Sequence, residues 1–203
     1  MKLANLARVL ARHARMSDLL PQLHQYAVDT ARGRCSVLLQ TNPRTALLHP
    51  TSAFGLEYLP TAPWLTADHE LRLVSDATRA DQPTVGRDLP TRFSALATHL
   101  GTTHAILLPL AGLEGPLGVL IIGVDADPAG HDLETLLSPV ADAFVLTIER
   151  ARLRRDADLQ RDLRALMHDF SQRVSSALNL RARLAIFCGG AAPPFGAGPR
   201  SVG

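Results

Sequence analysis

The stretch ILLPLAGLEGPLGVLIIGVD, Ile106–Asp125, contains a clear strand pattern. Two apolar runs, Ala105–Leu110 and Leu117–Val124, flank a turn rich in glycine and proline, which is the pattern of a hairpin of two buried strands. Glu114 is the only charge in the two runs and the turn, so the stretch is long and apolar enough to cross a bilayer. Its glycines and prolines disfavour the helix that a membrane span requires. The sequence therefore predicts a β-hairpin and no membrane span.

A helix is predicted well before this hairpin. Ser17 is suited to cap its beginning, Pro21 falls in its first turn, where the missing N–H costs little, and Gly33 is the expected C-cap. The preceding residues, 1–16, interleave arginine with leucine and predict a further amphipathic helix. They lack the unbroken apolar region of a signal peptide, although a basic, acid-poor start is also compatible with an organellar transit peptide.

A strand pair is predicted next. Cys35–Gln40 is the first strand, Asn42-Pro43 the turn and Thr45–His49 the antiparallel partner. The proline- and glycine-rich segment Pro50–Pro63 is interpreted as a loop.

The middle of the chain is predicted to be mostly helical. Ala67–Arg79 has helical spacing of its apolar residues, and Thr84–Arg87 is a short extended piece. Thr91–Leu100 is a second helix, with Gly101 as its stop. One face of this helix carries Phe93, Leu96 and Leu100.

After Asp127-Pro128 a long helix is predicted from near His131 to about Leu178. The order helix, strand pair, helical middle, hairpin, helix is typical of an α+β fold with a central antiparallel sheet and helices packed on one face. A length of 203 residues, against roughly 150 per domain, predicts one domain and a remainder too short for another.

Composition excludes several classes of protein. A net charge of +2 is too small for a strong nucleic-acid footprint, and 46% hydrophobic residues are too many for a disordered chain. The chain has two cysteines, Cys35 and Cys188, which lie far apart with no CxxC spacing, and this excludes a disulfide framework and a cysteine-based zinc site. Cysteine usage therefore favours a reducing compartment, and we expect the protein to be cytoplasmic.

In this order of elements the sequence resembles the GAF domain family. Ile106–Asp125 is similar to the GAF pattern of a strand ending in proline and an apolar residue, a turn and a Gly-Val-Leu strand. HDLETLLSPVADAFVLTIERARL, His131–Leu153, resembles the closing helix of the family, and PTVGRD, Pro83–Asp88, stands where such domains have a short strand ending in aspartate. The resemblance covers about residues 4–153.

The resemblance implies a sensory domain with a small-molecule pocket between one face of the sheet and the helical middle. By position it implies a pocket formed by seven residues, Phe54, Trp64, His69, Arg72, Val85, Phe93 and His104. His69 and Arg72 would be the polar groups, and an arginine suits an anionic ligand. For Trp64 and Phe93 a plain core or loop-anchoring role is the alternative. His104 has the strand parity of Ile106, which favours a satisfied core histidine over a metal or haem ligand.

Departures from the motifs of the specialised members of the family narrow the range of possible ligands. Cyclic-nucleotide-binding members carry an Asn-Lys pair, and there is no lysine here after Lys2. No cysteine lies between 36 and 187 to attach a bilin, and Cys35 alone does not provide the cysteines of methionine-sulfoxide-reducing members. No HExxH, GxSxG, P-loop or GxGxxG motif is present. We therefore expect no catalytic residues, no metal and no cofactor, but an unknown small-molecule ligand.

The long helix carries a heptad pattern. Leu146, Leu153, Gln160, Met167 and Val174 are spaced by seven, and a second line contains Leu163, Phe170 and Ala177. The pattern, weakened by Asp156 and Gln160, favours a homodimer that transmits a signal along its helices. The alternative is a helix that folds back on its own domain and then presents a solvated charged face.

His168, in LMHDFSQRV, resembles the phosphoacceptor box of sensor histidine kinases because an acidic residue follows a histidine on a helix. No second long helix or glycine-rich nucleotide-binding domain follows it in this sequence. An ordinary position on a helix surface is therefore the favoured interpretation, and a histidine kinase fragment is the alternative.

The expected organisation is a GAF-like sensory domain at 1–153, a linker or signalling helix at 154–180 and the truncated, disordered start of a second domain at 181–203. The tail resembles the opening helix of another GAF domain, cut off at its first strand. The resulting prediction is a non-enzymatic regulatory module that binds a small molecule, dimerises, or does both, and acts on an output domain beyond this chain. A purely structural dimerisation module is a further alternative.

Overall fold

The computed structural model describes residues 16–42, 44–57, 65, 67–128 and 132–189. These residues fall into two compact units, one ending at Leu153 and the other beginning at Arg154. The first unit contains the sheet.

The described residues form a five-stranded antiparallel sheet in the order β2-β1-β5-β4-β3. The predicted hairpin, now β4 and β5, lies beside β1 at the centre of the sheet and is confirmed. The strands are β1 Cys35–Thr41, β2 Leu48–Phe54, β3 Thr84–Gly86, β4 His104–Gly112 and β5 Gly115–Val124.

Helices precede, interrupt and follow the strands, as the α+β prediction requires. They are α1 Met16–Ala31, α2 Asp68–Arg79, α3 Leu89–Arg92, α4 Ser94–Leu100 and α5 Leu133–Gly189. Of the predicted N-terminal helix over residues 1–16, residues 1–15 lie outside the described residues.

The expectation that helices cover one face of the sheet is wrong, because both faces are covered. Side chains alternate between faces along a strand, and both sets are apolar here. On one face Leu38, Ile106 and Ile122 pack with residues of α1 and the first part of α5, including Phe144. On the other face the strand residues pack with α2 and α4. This second layer includes Val37, Leu107, Ile121, Val74, Ala77 and Leu96.

Strand β2 lies further along the chain than Thr45–His49 and takes up part of the predicted loop. Asn42 accepts a hydrogen bond from the Ala46 N–H and donates one to the Leu47 carbonyl, which delays the return strand to Leu48. Pro50 is tolerated inside β2 because this strand is at the edge of the sheet and a bulge interrupts its register. Residues 55–57 lie outside any strand, as the predicted loop requires, and residues 58–63 lie outside the described residues.

The end of α1 differs from its prediction. Arg32, with φ 52°, is the left-handed residue, and the Gly33 N–H donates to the Val28 carbonyl at 2.8 Å, as in a Schellman motif. Gly33 is required for packing instead, because a Cβ at this position would lie 2.8 Å from the Gly123 carbonyl oxygen. Pro21 lies inside the helix rather than in its first turn.

The predicted helix Thr91–Leu100 is broken in two. Phe93 has φ −142°, which separates α3 from α4, and Pro90 stands in the first turn of α3. Leu96 and Leu100 are buried as expected, and Gly101, with φ 63°, ends α4.

Helix α5 runs eleven residues beyond its expected end at Leu178, to Gly189. Apolar and helix-favouring residues continue through this segment without a proline or glycine until Gly189 itself. Residues 190–203, most of the predicted disordered tail, lie outside the described residues.

Candidate functional site

The helical middle is joined by a buried carboxylate. Glu70, on α2, is fully buried, and its Oε1 accepts hydrogen bonds from the backbone N–H groups of Ala95 at 2.9 Å and Leu96 at 3.4 Å. These are the free N–H groups of the first turn of α4, so Glu70 acts as a cap supplied by another helix. Its second oxygen, Oε2, is buried and has no hydrogen-bond partner among the described residues.

His69 and Phe93 lie together beside this junction. Their rings stack with centroids 5.9 Å apart and planes 26° apart, and the Arg92 guanidinium lies 5.5 Å from the centre of the Phe93 ring. His69 Nε2 lies 3.0 Å from the carbonyl oxygen of Arg92, so this nitrogen carries the proton. His69 and Arg92 are exposed, which leaves a cation and an imidazole at the surface next to a half-buried aromatic ring.

The structure does not bring all the predicted pocket residues together. His69 and Arg72 are three residues apart on α2 and share an exposed face. Phe54 packs against the layer of α1 and α5, on the other side of the sheet. Val85 pairs with Ile106 of that same layer, so it points to the same side.

His104 also belongs to the α1 and α5 side, since it pairs with Val124. Its Nδ1 is hydrogen-bonded to the Thr103 hydroxyl at 2.8 Å, and its side chain is half-buried. Trp64 lies outside the described residues.

Among the described residues, clefts lie on both sides of the sheet. One, of about 280 Å³, lies between the end of β2 and the end of α4 and is lined by Gly55, Leu56, Glu57, Thr98, His99 and Gly101 among others. The other, also of about 280 Å³, lies on the opposite side. It is lined by residues that include Thr30, Arg32, Ile106, Val124, Pro128 and Leu136.

A buried histidine that sequence reasoning missed joins four elements of the first unit. His24, on α1, is hydrogen-bonded through Nδ1 to Ser36 Oγ on β1 and through Nε2 to Ser52 Oγ on β2, each at 2.8 Å. Its ring meets the edge of Phe144 on α5. Burial lowers the pKa of His24 to about 4, so the imidazole is neutral near pH 7.

His24 and Glu70 were not predicted as site residues, but the sequence contains a signal for both. His24 stands four residues after Leu20 and three before Ala27, and Glu70 stands four before Val74, so each polar residue occupies the apolar face of its helix. A titratable residue at such a position has to find buried partners.

Helix α5 is also tied to the sheet near the end of the first unit. Glu149 Oε1 accepts a hydrogen bond from the Leu113 N–H at the tip of the β4–β5 hairpin, at 2.9 Å. Arg152 Nη2 donates to the carbonyl oxygen of Thr41, at the end of β1, at 3.4 Å. The contacts of Phe144, Glu149 and Arg152 thus fix one side of the helix to the domain.

The other side of α5 is exposed and includes large apolar side chains. Leu146 and Leu153 are 52% and 70% exposed, although Phe144 and Ile148 on the opposite side are fully buried. In the second unit the side chains of Leu163, Met167 and Phe170 are about as exposed. His168 is exposed too, and its Nε2 lies 3.3 Å from Gln172 Nε2.

In the part of the chain that the structure describes, no helix is both long enough and apolar enough to span a membrane. The same residues contain no group of three histidine, cysteine or acidic side chains placed to hold a metal ion.

Neither protein-family models nor curated proteins match the sequence. Solved structures do match. The GAF domain of a phosphoenolpyruvate-protein phosphotransferase from Acinetobacter is 11% identical, with a TM-score of 0.56 over 74% of this chain and 92% of that one. A segment of a methyl-accepting chemotaxis protein, its residues 122 to 287, is 14% identical, with a TM-score of 0.56 over 74% of this chain and 97% of that segment.

A far-red absorbing protein with bound biliverdin is 12% identical, with a TM-score of 0.58 over 74% of this chain and 98% of that one. At these identities the likeness concerns the fold. The chain has the GAF fold, with its five-stranded antiparallel sheet and long closing helix, and the resemblance found in the sequence is confirmed at that level.

Proposed function

We propose that this chain is a regulatory sensor module that forms a homodimer through α5 and passes a signal along that helix to an output domain. One observation carries the proposal. Helix α5 is packed into the domain core through Phe144 and Ile148 and continues without a break to Gly189, with an exposed apolar line at heptad spacing. Such a line is stable in water when a second helix covers it.

The partner that fits this surface is a second copy of the chain. The heptad lines of one helix can pack against the same lines of an identical parallel helix. A second copy of the chain is therefore a sufficient partner for the dimer. The solved structures with the same fold include a phosphotransferase domain and a chemotaxis protein, both of which support a regulatory role for the fold. No catalytic role is proposed for this chain.

The signal we propose is a small molecule bound beside the α2–α4 junction. Of the seven expected pocket residues, His69, Arg72 and Phe93 belong to α2 or its surroundings. Arg72 and Arg92 favour an anionic group on the ligand. Trp64 stays a prediction for the same pocket. The cytoplasmic location of the protein also stays a prediction.

The dimer is tested by sedimentation of the full chain. We expect the wild-type chain and Gln172→Arg, a variant on the polar face of α5, to sediment as dimers, and Phe170→Arg, on the apolar line, as a monomer. Equal dimerisation of Phe170→Arg and the wild type would contradict the proposal. Circular dichroism confirms that each variant keeps its helical content.

Ligand binding is tested separately by thermal shift with a panel of small anionic metabolites. A sensor is stabilised by its ligand through mass action, and Arg72→Ala should reduce that stabilisation while leaving the unliganded midpoint unchanged. Dimerisation without stabilisation by any member of the panel would favour the purely structural module. Phosphotransfer to His168 from a supplied kinase ATP-binding domain would favour the kinase-fragment alternative.

A further inference from the structure

The second half of α5 carries three apolar lines rather than the two that a coiled coil uses. The middle line consists of Leu163, Phe170, Ala177 and Leu184. One flanking line contains Met167 and Val174, and the other contains Leu159, Leu166 and Leu180. The large apolar side chains on these lines are between 41% and 68% exposed.

Each flanking line forms a complete heptad seam with the middle line. The first seam combines the middle line with Gln160, Met167, Val174 and Arg181, and the second combines it with Leu159, Leu166, Arg173 and Leu180. Both follow the alternating three- and four-residue spacing of a coiled coil over nearly four heptads, the length at which such a pattern is significant.

The two seams are closely matched in composition. The first includes two polar residues, Gln160 and Arg181. The second includes one, Arg173, whose guanidinium pairs with Asp169 on the same helix at 3.0 Å. A polar residue on a seam costs stability, so neither arrangement has an overwhelming advantage.

Charges beside the seams are compatible with an identical parallel partner in both cases. With the first seam, the residues that face each other across the dimer include Leu159 with Arg164 and Arg173 with Leu178. With the second seam they include Asp162 with Met167 and Ser176 with Arg181. No two like charges meet in these flanking pairs from Leu159 to Leu184, whereas on the seams themselves Arg181 faces its own copy in the first arrangement and Arg173 does so in the second.

We infer that α5 forms a coiled coil with a second copy of the chain in two alternative registers that share the middle line and exchange the flanking line. This inference rests on the proposed homodimer. Changing registers requires each helix to rotate by about 50°, one seventh of a turn in heptad geometry. A signal acts on this device by stabilising one register over the other.

Disulfide cross-linking between copies of the full chain can measure the registers directly. All variants are made in a Cys188→Ser background that keeps Cys35, which is buried. Phe170→Cys, on the shared line, should cross-link strongly, and both Met167→Cys and Leu166→Cys should cross-link in part. Gln172→Cys, on the polar face, is the control and should not cross-link.

A charge placed on one flanking line should move the dimer to the other register. Leu166→Glu should therefore leave the chain dimeric and raise the cross-linking of Met167→Cys, and Met167→Glu should do the same for Leu166→Cys. Phe170→Glu removes the shared line and should give a monomer. Circular dichroism and the unfolding midpoint of the GAF domain check that each variant is folded.

The alternatives give different results. If only one of Leu166→Glu and Met167→Glu abolishes the dimer, the helix uses a single register. If both abolish it, the helices form a wider bundle. Either result overturns the two-register inference. If Phe170→Cys also fails to cross-link and the wild type sediments as a monomer, the proposed homodimer itself is wrong.

Discussion

The imidazole of His24 meets the phenyl ring of Phe144 edge-on, with ring centroids 5.2 Å apart and planes 80° apart. This contact links α1 to α5. Because His24 is also hydrogen-bonded to Ser36 and Ser52 on two strands, α5 is held against a polar group whose position is set by the sheet.

The first prediction concerns the pH dependence of stability. The pKa of His24 is about 4 in the folded domain and 6.5 as its ordinary value, so the unfolded chain binds more protons between these pH values. The His24 contribution to stability is complete above pH 6.5 and falls as the pH decreases towards 4. We expect a loss of about 2 kcal/mol between about pH 7.5 and pH 5.

Urea unfolding at both pH values measures this loss. His24→Asn keeps a donor and an acceptor but does not titrate, so its free energy of unfolding should change much less over the same range. The two proteins differ in no other titratable residue, so the comparison isolates His24. If the wild type and His24→Asn lose equal stability, His24 does not have the lowered pKa.

The second prediction concerns Phe144. Its side chain is fully buried against His24 and the α1 layer, so Phe144→Ala should lower the free energy of unfolding by about 3–5 kcal/mol. Leu113→Ala is the matched control, because Leu113 is 95% exposed at the hairpin tip and should change stability by less than about 0.5 kcal/mol. Similar effects of the two substitutions in urea unfolding would show that Phe144 is not part of the core.

Much of the fold could be predicted because its signals are local. The hairpin is marked by apolar runs around Gly112 and Gly115, and the end of α4 by Gly101. The second helical layer could not be predicted. A strand buried on both faces is a continuous apolar run, as at Leu117–Val124, and such a run does not say how many helices cover it.

The site was harder to predict because it depends on contacts between distant residues. His24 and Ser52 are 28 residues apart, and Glu70 and Ala95 are 25 apart, so neither pair has a local pattern. The division of the expected pocket residues between two faces follows from strand register. Val85 is opposite Ile106 in that register, and one residue of slip would turn its side chain to the other face.

The third prediction concerns Glu70 as the cap of α4. Glu70→Ala would leave the N–H groups of Ala95 and Leu96 without their acceptor, at a cost of about 1–3 kcal/mol. Glu114→Ala, at an exposed carboxylate on the hairpin, is the control and should have little effect. Amide hydrogen exchange gives a local measurement, and unchanged protection of Ala95 and Leu96 in Glu70→Ala would rule out the capping role.

The last prediction concerns the close approach of β5 and β1. Gly118 pairs with Gln40, and a Cβ at Gly118 would overlap the carbonyl oxygen of Leu39. Because the obstacle is backbone in the centre of the sheet, a rotamer change cannot relieve it. Gly118→Ala should therefore lower the free energy of unfolding by more than about 2 kcal/mol.

Gly115→Ala is the matched control for this substitution. Gly115 also has a positive φ, 128°, but no atom lies within 4 Å of its Cβ position, so only the backbone conformation is penalised. We expect a loss of about 1–2 kcal/mol for Gly115→Ala, smaller than that for Gly118→Ala, in parallel urea titrations. An equal loss at the two positions would show that the β1–β5 contact is not close enough to require glycine.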